Sequence, residues 1–129
     1  THYATTRFYR AMRSNMLDEL VADCMGFLAA LGSFSAQLFR RCMGITSEGQ
    51  APDGSRAGLY MEGFNDPAVE QILATTLKAA SNLEQALELQ AVRSAGPQLF
   101  FALTALTLPA MASAGGVELI VAELKERGR

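Results

Sequence analysis

The stretch PAVEQILATTLKAASNLEQALELQAVRSA, residues 67–95, decides the reading of this chain. At about 100° per residue, Val69, Ile72, Leu73, Thr76, Ala80, Leu83, Leu87 and Ala91 fall on one stripe, the mark of an amphipathic helix. Gln71, Thr75, Lys78, Asn82, Gln85 and Arg93 lie opposite and are expected to meet water. Asp66 is placed to cap the first turn, with Pro67 at a position where a missing N–H costs nothing. Gly96 and Pro97 are the expected stop. At about 1.5 Å per residue such a helix runs roughly 43 Å, so it needs partners along much of its stripe. Leu89 falls among the polar residues, where a single exposed leucine is ordinary.

Working outward, the helices on either side are shorter. In MLDELVADCMGFLAALG, residues 16–32, Leu17, Leu20, Val21, Cys24, Phe27, Leu28 and Leu31 share a face and Gly32 suits the helix end. The residues before it, with Phe8 and Met12 on another face, read as a continuation with a change of partner. Ser33 opens a short helix to Gly44 with Phe34, Leu38 and Cys42 facing in and Phe39 and Met43 flanking. Residues 45–64 show no helical period; a PDG turn and further glycines mark a long loop. Its apolar end, Leu59, Tyr60, Met61 and Phe64, should lie along the helices as a lid or an interface.

Beyond the central helix, LFFALTALTLPAMASAGGV, residues 99–117, carries no charge. That length would admit a membrane span, but Thr104, Thr107, Pro109, Ser113 and two glycines point to a buried hairpin or a helix interrupted near Pro109. Small residues at Ala110, Ala112, Ala114, Gly115 and Gly116 would let another backbone come close. A final helix follows, with Val117, Ile120, Val121 and Leu124 as a narrow stripe and Lys125 and Arg127 in its last turn.

The totals agree with a helical fold. Half of the 129 residues are apolar and 19% charged, which excludes disorder. The expectation is an all-α, irregular four- to five-helix bundle, one domain over residues 1–129, or a fragment of a longer chain, since no initiator Met is present. A formal charge of −2 argues against nucleic acid as a partner. Cys24 and Cys42 make no disulfide framework, so a reducing compartment, the cytoplasm, is expected.

Signals for chemistry are sparse. P-loop, CxxC, HExxH and nucleophile-elbow patterns are missing. Glu19 and Asp23 stand at i and i+4 on a polar face, with Asp18 beside them; like charges at that spacing repel by a few tenths of a kcal/mol. One offset is a divalent metal held by Asp18, Glu19 and Asp23 with His2, the sole histidine. The simpler offset, which we favour, is the helix dipole acting on Asp18 and Glu19 together with pairing to arginines. Arg7, Arg10 and Arg13 form a basic ridge, either an anion site or, as we favour, a solvated face or a set of partners for the acids that follow. Arg40 and Arg41 could acidify the Cys42 thiol, but with His2 the sole base a buried or partly buried structural thiol is expected.

Two function classes follow. The first is a helical binding or assembly module, a homo-oligomer or a docking partner of another protein, with no cofactor. The second is a small enzyme or ligand binder with a carboxylate site under the 45–64 loop.

Overall fold

The computed structural model describes residues 16–127. All regular structure in that span is helical, in seven pieces: α1 Leu17–Leu31, α2 Ala36–Cys42, α3 Arg56–Met61, α4 Asp66–Leu89, α5 Pro97–Thr104, α6 Leu108–Ala112 and α7 Gly116–Arg127. The count exceeds the four or five expected because α3 forms inside the 45–64 stretch and α5 and α6 are separate helices. Whether a helix precedes Leu17, and what Phe8 and Met12 face, lie outside the described residues.

α4 is the central element, and its start is set by local chemistry. Asn65, not Asp66, caps it: the Asn65 side chain accepts from the Ala68 N–H, with Pro67 in the first turn. Its buried face is wider than the stripe, taking in Ile72, Leu73, Thr76, Ala79, Ala80, Asn82, Leu83, Ala86 and Leu87. α6 and α7 pack on this face, as does α2, while α5 packs on α7. A face covered by several helices spreads beyond the width one partner needs, which is why Ala79 and Asn82 are also buried.

The helix stops short of the sequence expectation, at Leu89 rather than Ala95. Ala91 takes a left-handed φ of 52°; its N–H donates to the Glu88 carbonyl and that of Val92 to the Leu87 carbonyl. This is a Schellman turn with alanine where glycine is usual. Val92 and Ala95 then pack against the core, the apolar contact that turns the chain back before Gly96 is reached. An identical hydrogen-bond pattern closes α2, from Gly44 to the Arg41 carbonyl and Ile45 to the Arg40 carbonyl. There glycine is needed twice over, for its φ of 75° and because a Cβ would come within 2.8 Å of Ser55 Cβ.

α1 buries Leu17, Leu20, Val21, Cys24 and Leu28, ends at Gly32 as expected, and leaves Leu31 62% exposed. α2 starts at a Ser35 cap rather than at Ser33 and buries Phe39, with Met43 just beyond; Phe34 faces in as expected, but Leu38 is half-buried and Cys42 is exposed, against expectation. A chain of ring contacts, Phe27 on Phe34 at 5.9 Å and Phe34 on Phe39 at 6.4 Å, sets that rotation.

The uncharged stretch is interrupted as expected, with Pro109 in the first turn of α6 and Thr107 as its cap. Among the described residues no single helix is long and apolar enough to cross a membrane; α1 and α2 pass that test only as a pair bent by 114°, with their apolar faces turned into the core. The close approach expected of the small residues occurs at Gly116, where a Cβ would lie 2.0 Å from the Met111 carbonyl oxygen and 2.7 Å from Asn82 Nδ2.

Candidate functional site

The acidic pair of α1 meets its partner from the 45–64 stretch. Pro52, Asp53 and Gly54 turn the chain, with the Ser55 N–H and hydroxyl both donating to the Pro52 carbonyl. Ser55 Oγ in turn accepts from the Gly58 N–H and so caps α3. Ala57 and Met61 are buried beneath α3, and the Ala57 N–H donates to the Met43 carbonyl at 2.8 Å. That docking leaves Arg56 and Tyr60, one turn apart, facing α1.

Arg56 forks onto Asp23, Nη1 to Oδ2 at 3.0 Å and Nη2 to Oδ1 at 2.9 Å, and Nη2 also donates to Glu19 Oε2. The Tyr60 hydroxyl donates to the other Glu19 oxygen. One guanidinium thus bridges both carboxylates and offsets the i,i+4 repulsion that their spacing creates, leaving the cluster a net charge of −1. The carboxylates are well covered, their side chains 19% and 15% exposed, while Arg56 is 35% exposed and opens to water on its outer side.

The electrostatics follow from these contacts. Burial alone would raise the Glu19 carboxyl, but the Tyr60 hydrogen bond and the Arg56 hydrogen bond and charge outweigh it, and Glu19 sits below the ordinary carboxylate range. The bond to Glu19, with burial, pushes the Tyr60 phenol up. Asp23 and Glu19 hold Arg56 firmly protonated. Chemically the cluster is closed: every carboxylate oxygen of the pair faces a donor, and the phenol is held protonated.

Asp18 stands apart from the cluster, exposed on the outer face of α1. His2, Arg7, Arg10 and Arg13 lie outside the described residues. Among the described residues no three His, Cys, Asp or Glu side chains come together as metal ligands. Cys24 is sealed in the core, its thiol pushed up to about 12 by burial, and Cys42 is exposed with Arg40 turned away to the Ile45 carbonyl at 2.8 Å.

Sequence reading missed four polar residues that tie elements together: Arg56, Tyr60, Glu84 and Asn82. Glu84 Oε1 accepts from the Ala36 N–H at 2.7 Å, so a carboxylate on α4 caps the start of α2. Asn82, expected in water, is 3% exposed; its amide donates to the carbonyls of Met111 at 2.8 Å and Ser113 at 3.2 Å. The available signal was small: a serine cap after the PDG turn for Arg56, and for Asn82 the small-residue run that lets a backbone approach.

The fold and this cluster define an all-helical protein whose most concentrated charge works as an internal latch. The chain belongs to a family of proteins of unknown function, DUF7005, whose model matches residues 1–115, from before α1 through the end of α6. No curated protein and no solved structure matches it.

Proposed function

We propose that this chain is a helical assembly module, an irregular bundle that associates with copies of itself in a reducing compartment such as the cytoplasm. The observation that carries the reading is the placement of large apolar side chains at the surface of two helices that pack on each other. Phe100 and Phe101 of α5 are 45% and 56% exposed, ring to ring at 5.8 Å, and Leu119 of α7 is 43% exposed. No charged residue separates Arg93 from Glu118, so nothing along α5 or α6 opposes an apolar partner. Association would withdraw these rings from water at about 25 cal/mol per Å². The free thiols of Cys24 and Cys42 fit a reducing setting.

Sedimentation equilibrium across a concentration series tests the reading. The expected result is a concentration-dependent oligomer that Phe101→Ser weakens without lowering helix content. A chain that stays monomeric at tens of micromolar defeats it. The alternative, a ligand or divalent-metal site on Glu19 and Asp23, draws no support from the cluster, because Arg56 and Tyr60 already occupy those oxygens.

A further inference from the structure

We infer that residues 46–61 are a strap that lifts off the bundle as one piece while α4, α6 and α7 stay folded, with Arg56, Tyr60, Glu19 and Asp23 as its clasp. The segment is closed on itself. The Thr46 N–H donates to the Gln50 carbonyl at 2.8 Å, the Gly49 N–H returns to the Thr46 carbonyl at 2.9 Å, and the Thr46 hydroxyl accepts from the Gln50 N–H. Farther on, the Pro52 carbonyl takes both the N–H and the hydroxyl of Ser55. Gly58 lies so close to that carbonyl that a Cβ would come within 2.4 Å of its oxygen. Turn and helix are thus locked to each other, the condition for opening as a unit.

The strap's hold on the rest of the molecule is slighter. Its backbone is tied to the end of α2 by the Ala57 N–H, which donates to the Met43 carbonyl at 2.8 Å. Ala57 and Met61 are buried, and Ala51 and Tyr60 lie partly against the core. α3 packs broadly on none of the other described helices, whereas α4 buries side chains from Ile72 to Leu87 under α2, α6 and α7. The clasp adds charge, but in half-open surroundings where water weakens each bond.

Lifting passes the Ala57 N–H, the Met43 carbonyl, Arg56 and the two carboxylates to water, which satisfies them all. The net loss is the burial of a few side chains and one screened cluster, far less than the core lost when α4 unfolds. The lifted form bares the seat of Met61 and returns an acidic pair to the surface of α1, so the two forms present different faces.

Native-state amide hydrogen exchange on the full chain, read by NMR at fixed pH across a denaturant series, tests the strap. The Ala57 and Leu59 amides should exchange about a hundredfold faster than Ala80 and Leu83, with a smaller denaturant slope. Arg56→Ala weakens the closed form and should speed Ala57 and Leu59 together, by about tenfold. Leu83→Ala separates the two openings, since its cavity is present whether the strap is down or up. It should speed Ala80 at least thirtyfold or so while leaving Ala57 and Leu59 within about twofold of wild type. Ile120→Val, a milder core change on α7, repeats that comparison if Leu83→Ala fails to fold. Strap amides that match Ala80 in rate and slope, and that the core variants speed equally, overturn the inference. Ala57 and Leu59 unmoved by Arg56→Ala, or moved separately, would overturn it as well.

Discussion

Arg56 and Asn82 each fasten distant parts of the chain with one forked donor, and they do it in different media. Arg56 reaches from α3 to two carboxylates of α1 with its side chain 35% exposed, so its bonds are strong in charge but screened by water. Asn82 reaches from α4 to two backbone carbonyls before α7 with 3% exposure, so its bonds carry no net charge and have no water to replace them. The first fastening depends on protonation and salt. The second depends on space, since Gly116 sits against the Asn82 amide.

Leu83, buried beside Asn82 on α4, sets the scale for both. Leu83→Ala should cost roughly 2–5 kcal/mol in denaturant unfolding, because the cavity opens in the middle of the core. A loss under about 1 kcal/mol would mean that α4 is not the common packing surface. Asn82→Ala should cost about 1–3 kcal/mol, the penalty for leaving the Met111 carbonyl unpaired in an apolar setting. That difference from wild type should hold steady with pH and salt; a deficit that salt erases would break the contrast with Arg56.

Arg56→Ala should cost about 1–2 kcal/mol near neutral pH, a figure kept small by solvent screening of the half-open guanidinium. Here the pH dependence has a definite sign. Glu19 is held below its ordinary value, so its contribution is present above the carboxylate range and fades as pH falls through the lowered folded value. The gap between wild type and Arg56→Ala should therefore close in acid, measured as the difference in unfolding midpoint. Tyr60 runs the other way: its raised phenol contributes fully below about pH 10 and its share is lost as pH climbs through the folded value.

The two Schellman turns repeat the comparison in miniature, one with Gly44 at the left-handed position and the other with Ala91. Ala91→Gly should raise stability by about 0.5–1 kcal/mol, since glycine removes the left-handed strain of the turn; thermal melting would show it as a higher Tm. At the bottom of the scale, Lys78→Ala, on the exposed side of α4, should stay within about 0.5 kcal/mol of wild type.

Much of the framework was legible because periodicity reports on one buried stripe. Ile72, Leu73, Leu83 and Leu87 on α4, Leu20, Val21, Cys24 and Leu28 on α1, and Ile120 on α7 all face where their spacing puts them. What failed to show is where several helices cover one face or where the chain is short. Asn82 looked solvated because polarity at a flanking position usually means water, and only the nearness of Met111 and Ser113 makes it a donor to buried carbonyls. α3 has six residues, too few for a period to emerge, and so the partner of the acidic pair stayed hidden. Glu19 and Asp23 themselves were legible as a problem in need of an offset; the favoured solution was the helix dipole together with arginine pairing on a solvated face, whereas the two side chains are mostly covered and one arginine meets both. Which arginine could not be read, because Arg56 is separated from Asp23 by 33 positions.

Ala91 marks the point where the fold overrules the local pattern. By pattern alone the helix wants to run on to Ala95, and a peptide of this segment by itself has no reason to reverse at position 91. The reversal is held by the fold, in which Val92 and Ala95 pack against the core. Local preference and final structure therefore disagree over a single turn, a small patch of frustration in an otherwise consistent design. Where α4 ends is thus decided by packing beyond the helix rather than by the helix's own pattern.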